Sequence, residues 1–385
     1  MTEPPHPPFS RAMLPADLDN AVLAGRVIGS QGPVTVLVRD GLVLDVSRQF
    51  ATVSDLLDDA SPAKASGQPI CTIDELCHVG APTLLSPIDL QCVKAAGVTF
   101  AVAAIERVIE ERARGDALAA AVFRGELERK IEGSIRAVVP GSTGAATLKA
   151  ALIEQGVWSQ YLEVAIGPDA EIFTKAPILS TVGWGASIGV RSDSDWNNPE
   201  PEVVLIADSA GCARGATLGN DVNLRDFEGR SALLLGKAKD NNASCALGPF
   251  IRLFDERFGM DEVRAAEIAL TIEGPEGYRL EGKSSMREIS RDPEDLLRQT
   301  MSQHQYPDGF ALFLGTLFAP VQDRDIVGRG FTHKVGDRVT IASPLLGTLV
   351  NRVTTCERAD PWTFGVRDFM RNLAARNLLQ SGEAV

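Results

Sequence analysis

The feature that most narrows the fold of this chain is its second half, where short apolar runs follow one another without regular alternation with helices. After Ile153 come EVAIG, EIFTK, EVVLIAD, ALTIEG, GFALFLGT, RVTIASP and TLVNRV, punctuated by Gly, Pro and Asp. Runs of this length bounded by turn formers read as strands. Helical spacing in this half is confined to residues 231–239 and 292–303. A doubly wound parallel sheet would place a helix after nearly every strand, so that architecture is disfavoured. The expected class is α+β: a mixed β-roll, barrel-like, with peripheral helices.

The first half adds two units. Residues 34–38 and 42–46 are β-rich runs around Asp40-Gly41, the pattern of a hairpin. A polar stretch over 58–69 follows, so a small β-rich N-terminal domain is expected over residues 1–85, with the main domain over 86–385. From Ala101 to about Arg136 the apolar positions, among them Ile105, Val108 and Ile109, recur at helical spacing. The opening MTEPPHPPFSRAMLP is proline-rich without an apolar core and reads as a loose lead-in rather than a secretory signal. No solenoid period is visible.

Composition limits the partners. A net charge of −13 over 385 residues argues against nucleic acid and anionic membrane, both of which call for a basic face. No apolar run approaches the ~20 residues of a membrane helix. The six cysteines lack CxxC spacing and suit neither zinc nor a disulfide framework, which points to a reducing cytoplasm and buried thiols. The four histidines are dispersed, so a histidine-rich metal site is not expected.

Chemistry concentrates in Trp196-Asn197-Asn198-Pro199-Glu200-Pro201-Glu202, which runs into Val203-Val204-Leu205-Ile206. If a strand begins here, Glu200 and Glu202 project from one face. Two carboxylates so placed repel unless a proton or a cation lies between them, and a hard divalent ion takes such oxygen ligands. A solvated strand end is the plain alternative. Downstream stand Gly219-Asn220-Asp221-Val222-Asn223-Leu224-Arg225-Asp226, then Lys239, then Leu247-Gly248-Pro249. Taken singly, these read as a turn with an Arg225–Asp226 surface pair and as a polar loop.

Taken together, their order resembles the fumarylacetoacetate hydrolase family over roughly residues 86–375. The resemblance implies a fumarylacetoacetase C-terminal fold, with Glu200, Glu202 and Asp221 holding Mg2+ (Mn2+ as the alternative) and Lys239 beside the substrate. Gly309 to Thr316 is similar to the family's apolar strand ending in Gly-Thr, where Thr316 meets the substrate carboxylate. Arg225 and Asp226 would brace the loop. Homodimers or larger assemblies such as homotetramers are the family's rule.

The chain departs from the family's hydrolases where their water-activating histidine would fall. Those carry Gly-Leu-Asn-Tyr-x-x-His with a Glu three residues on, whereas this chain has Gly97-Val98-Thr99-Phe100-Ala101-Val102-Ala103 and then Glu106. Ala103 stands where the histidine that activates water would be. A metal, Glu106 and Lys239 would still suffice for proton transfer and loss of water beside a carbonyl. The stretches around 95–116, 158–175, 219–250 and 303–316 are similar to sugar-acid dehydratases within the family. They imply conversion of 2-keto-3-deoxy-D-xylonate to 2,5-dioxopentanoate and water in oxidative pentose degradation. On this reading Glu228 replaces the Gln frequent in hydrolases, and Arg112 reaches substrate, with a surface Arg paired to glutamates as the alternative. His304 and Tyr306 are weaker candidates for substrate contact. Two other readings stand beside it: a hydrolase cleaving an acylpyruvate or a 2,4-diketo-3-deoxy sugar acid, and a non-catalytic metal-binding protein.

Overall fold

The computed structural model of the chain describes residues 8–78, 80–123, 135, 138–316, 318 and 320–379. In the first part of the chain the strands are β1 (Leu23–Gly29), β2 (Gly32–Arg39), β3 (Leu42–Asp45), β4 (Gln68–Thr72), β5 (Cys92–Gly97) and β6 (Glu171–Ala176). Next come β7 (Ser187–Val190), β8 (Asn197–Asn198), β9 (Pro201–Ala207), β10 (Ala213–Asp221), β11 (Asn223–Leu224) and β12 (Cys245–Leu253). The last are β13 (Glu267–Glu273), β14 (Arg279–Ser285), β15 (Phe310–Phe313), β16 (Arg338–Ser343) and β17 (Gly347–Thr355).

They form a ten-stranded sheet in the order β4-β3-β2-β1-β12-β10-β9-β15-β5-β6, a five-stranded sheet in the order β14-β13-β16-β17-β7, and a separate pair, β11-β8. Pairing is antiparallel except for β15 with β5 and β17 with β7. Neither sheet closes on itself among the described residues, so the roll is open rather than a closed barrel. The Asp40-Gly41 hairpin joins β2 to β3, and both of these residues take positive φ, as a primed turn requires. Through β1 on β12, the N-terminal strands continue the large sheet.

β9 is buried along its whole length. Val203, Leu205 and Ala207 face the core shared with Ile268, Leu270, Val339 and Ile341 of the second sheet. Val204 and Ile206 face the opposite way, onto Leu56, Leu57 and Phe313. A strand covered on both faces carries a continuous apolar run rather than an alternating one, and each such side chain contributes ~1.5–3 kcal/mol. The run VVLI therefore sits at the centre of the fold, and the polar residues at its N-terminal end are fixed against a rigid floor.

Several expectations are corrected. EVAIG is helical, within Gln160–Ile166, because the Ser159 side chain caps it by accepting from the Tyr161 amide. The helix from Ala101 ends at Arg112, where Arg114 and Gly115 turn left-handed, and a second helical stretch resumes after Asp116. The remainder of the predicted helix, over 124–134 and 136–137, lies outside the described residues, as do residues 1–7 of the lead-in; its described part is not loose, since Phe9 and Leu14 are buried. Of the six cysteines only Cys245 is buried and Cys212 is exposed, against the expectation of buried thiols. Among the described residues no helix is long and apolar enough to cross a membrane.

Candidate active site

β9 and β10 run antiparallel, with Glu202 opposite Gly219 and Pro201 opposite Asn220. This register brings the start of one strand beside the end of the other. The Asp221 amide donates to the Glu200 carbonyl at 3.0 Å, and the Asn220 side chain accepts from the Glu200 amide at 3.1 Å. Glu200, Glu202 and Asp221 thus converge, with ligand oxygens lying within 4.8 Å of one another. All three are buried.

Three buried carboxylates cannot all be ionised without positive charge nearby. Two lysines provide part of it. Lys239, at the end of the helix Leu235–Lys239, donates to Glu200 Oε2 and, at 2.9 Å, to Asp221 Oδ2. Lys175 of β6, fully buried, lies 2.8 Å from Asp221 Oδ1 and donates to the Lys239 carbonyl. Burial alone would lower the Lys239 pKa, but Asp221 and Glu200 outweigh it and hold the ammonium protonated. Asp221 is raised by burial and then brought below the usual carboxylate range by Lys175 and Lys239.

Glu202 is left without its own cation. Burial, followed by the charges of Asp221 and Glu200, pushes its carboxyl well above the ordinary range. One oxygen accepts the Gly315 amide at 2.6 Å. Gly315 has φ +95, and a Cβ there would lie 2.0 Å from Thr99 Oγ1, so glycine is required for this approach. A cluster of three oxygen donors in which one carboxyl retains a proton for want of charge fits a hard divalent cation.

The centre is closely filled: the cavity measures ≈ 20 Å3 and is lined by Gly97, Ala103, Arg107, Glu171, Phe173, Glu228 and Thr316 together with the groups above. That is room for about one water, so charged side chains rather than a void occupy it. Two larger clefts, of ≈ 940 and ≈ 960 Å3, share no residue with the carboxylate cluster.

The other predicted residues divide. Thr316 and Glu228 line the cavity. The Thr316 hydroxyl donates to the Pro201 carbonyl at 3.1 Å. Burial pushes the Glu228 carboxyl up to about 7, with Arg107 and Lys239 opposing. Glu106 and Arg112 are not among the lining residues. Glu106 is buried behind them, 3.3 Å from Arg225, while its neighbour Arg107, about 100° further round the helix Ala101–Arg112, lines the cavity. Arg112 is directed outward, to the Gly156 carbonyl at 3.4 Å. Arg225 and Asp226 do not pair with each other. Arg225 holds Glu110 at 2.7 Å, while Asp226 accepts from Ser194 and the Asp195 amide, both at 2.9 Å. His304 is exposed and stacks on Tyr306 at 4.5 Å, apart from the cavity.

Three charged residues here were not singled out from the sequence. Glu171 lies opposite Gly97 in the β5–β6 register, and a Cβ on Gly97 would fall 2.1 Å from Glu171 Oε2. The bare backbone of Gly97 thus makes room for that carboxyl, and burial raises its pKa. Lys175 shares that strand. The available signal was a glutamate and a lysine four apart, on one face, in a run otherwise read as a strand. Arg107 stands four residues after Ala103, on the same face of its helix.

Comparison with known proteins follows from this geometry. No protein-family model matches the chain. It is 34% identical over 183 residues to a 2-dehydro-3-deoxy-D-arabinonate dehydratase of Saccharolobus solfataricus, covering 48% of this chain and 58% of that protein. It is 31% identical over 202 residues to a "Probable 2-keto-3-deoxyxylonate dehydratase" of Haloferax volcanii, covering 52% and 66%. The matched stretch therefore spans less than two thirds of either relative. The fold is shared with a 2-keto-3-deoxy-D-arabinonate dehydratase complexed with magnesium and 2,5-dioxopentanoate (TM-score 0.63, 24% identity, 87% of this chain and 99% of the other). It is also shared with a fumarylacetoacetate hydrolase from Exiguobacterium antarcticum (TM-score 0.53, 17% identity, 87% and 100%). The fold and the relatives are those that the motifs resemble.

Proposed function

We propose, for a chain with the fumarylacetoacetate hydrolase fold and sugar-acid dehydratases among its relatives, that it converts 2-keto-3-deoxy-D-xylonate to 2,5-dioxopentanoate and water. One observation carries this choice over the hydrolase. Ala103 faces the cavity where the family's histidine would stand, and no histidine is among the described residues lining it. The site has acids and ammonium groups to move protons, and no imidazole to activate a hydrolytic water.

Glu200, Glu202 and Asp221 would hold Mg2+. When bound there, a divalent ion would supply positive charge that lowers the cost of negative charge developing on the keto acid. The remaining work falls to side chains. A proton leaves C3 and the hydroxyl leaves C4 as water, giving a C3–C4 double bond conjugated to the keto group. C5 then gives up a proton while C3 receives one, and the C5 enol becomes the aldehyde by taking a proton at C4 and releasing that of its hydroxyl.

Glu171, whose burial favours the protonated form, is suited to deliver the proton that carries off the C4 hydroxyl. With Glu200 and Asp221 turned to a cation, Lys239 would lose the partners that hold it protonated and would then accept and return the proton at C3. Thr316 and Glu228 contact the carboxylate and hydroxyl ends of the acid. In this reading Glu106, first taken from the sequence as a proton carrier, supports Arg225 instead. The small N-terminal unit to residue 85 and the catalytic region from 86 act together as a homodimer or homotetramer in a reducing cytoplasm. Turnover of the sugar acid with Mg2+, abolished by EDTA, is the test.

A further inference from the structure

We propose that Arg107 is a positioning residue that sets the rotation of Glu200 as a ligand and ties it to Glu228 across the cavity. The proposal rests on the metal-dependent reading above. Arg107 projects from the helix Ala101–Arg112, one turn past Ala103, and its side chain is 12% exposed. Its Nη2 lies 2.6 Å from Glu200 Oε1, and its Nη1 lies 2.6 Å from Glu110 Oε2 and 2.7 Å from Glu228 Oε2. Glu110 is held from behind by Arg225 Nε at 2.7 Å. The guanidinium is therefore fixed on its far side and offers one nitrogen to each of two cavity carboxylates.

The two oxygens of Glu200 are used differently. Oε2 is turned to Lys239 and the Asp221 side of the cluster, while Oε1 is held by Arg107. A cation among Glu200, Glu202 and Asp221 would thus find Glu200 already oriented by a partner outside the ligand set, an arrangement that ordinarily sharpens metal affinity. A planar fork holds two carboxylates in fixed relation, whereas a lysine, as a point charge, holds one well. Arginine stays protonated, so the residue filling the space beside Ala103 does not replace the lost imidazole as a base. It secures the dehydratase arrangement and leaves hydrolytic water without an activator.

The test is Mn2+ binding by calorimetry, without substrate, on the parent protein and on Arg107→Met, Arg107→Lys and Glu228→Gln. Arg107→Met is expected to raise the Mn2+ Kd about 10–100-fold, with partial recovery in Arg107→Lys. Glu228→Gln is expected to leave the Mn2+ Kd within about twofold and to raise KM for the sugar acid, a split that general loosening of the fold would not produce. If Arg107→Met does not fold by circular dichroism, Arg107→Lys is judged by the same criterion. Folded Arg107 variants that bind Mn2+ as the parent does would overturn the proposal, as would a parent that binds no Mn2+. A parent that binds Mn2+ but does not dehydrate the sugar acid would overturn the proposed reaction and leave the assignment of Arg107 standing.

Discussion

Lys239 Nζ bridges two of the three clustered carboxylates, donating to Asp221 Oδ2 at 2.9 Å and to Glu200 Oε2. One ammonium thus stands at the edge of the position a cation would take. Lys239 helps to balance the cluster and is also the group to which the proposed reaction assigns the proton at C3.

Replacing Lys239 by Met removes the cation shared by two buried carboxylates, leaving Asp221 with Lys175 and Glu200 with Arg107, a loss of up to ~3–5 kcal/mol in the metal-free protein. Thermal unfolding should show a lower Tm without metal and partial restoration with saturating Mg2+, while turnover stays absent. An unchanged Tm in the metal-free variant would mean that Lys239 does not balance the cluster.

Glu202→Gln removes one ligand while preserving shape and the contact with the Gly315 amide. The fold should be retained by circular dichroism, with Mn2+ binding and turnover lost. Turnover like that of the parent would remove Glu202 from the metal assignment.

Glu171 and Glu106 are distinguished by their places. Glu171→Gln should lower kcat by about 10²–10⁴ with little change in Tm, as expected for a proton donor in contact with substrate. Glu106→Gln should act mainly on stability, through Arg225. Steady-state kinetics and melting curves on both variants check the assignment, and the opposite pattern would return the proton-carrying role to Glu106.

Burial raises the Glu228 carboxyl to about 7 in the folded chain, above the ~4.3 of an unfolded glutamate. Between these values the folded state retains a proton that the unfolded state has released, so stability falls as pH rises from about 4.3 to about 7. Denaturant melts of the metal-free protein across that range should show a flatter pH dependence in Glu228→Gln than in the parent. Equal slopes would deny the shift.

Much of the cluster was legible in the sequence because its geometry is local. Glu200 and Glu202 are two residues apart at the head of an apolar strand, and Asp221 ends the next strand, so pairing β9 with β10 suffices to join them. Lys239 and Thr316 came only with the order of motifs. Glu171, Lys175 and Arg107 were not singled out, since a charged residue within an apolar or helical run looks like a solvated face until tertiary packing buries it. Glu106 was drawn into the site by its spacing from Ala103, but a helix turns about 100° per residue, and its neighbour Arg107 is the one that faces inward. In the fold, the strand-rich mixed architecture was legible from strand rhythm, whereas the open edges of the sheets, in place of a barrel-like closure, were not. The EVAIG helix was not, because a five-residue apolar run fits either element and the Ser159 cap decided it.

The central claim is tested most directly by incubating the protein with 2-keto-3-deoxy-D-xylonate and Mg2+ and coupling the product to a semialdehyde dehydrogenase. The expected product is 2,5-dioxopentanoate, formed only with metal and lost on addition of EDTA. Absence of that product, together with cleavage of an acylpyruvate into two acids, would contradict the claim and show that hydrolysis survives without the histidine.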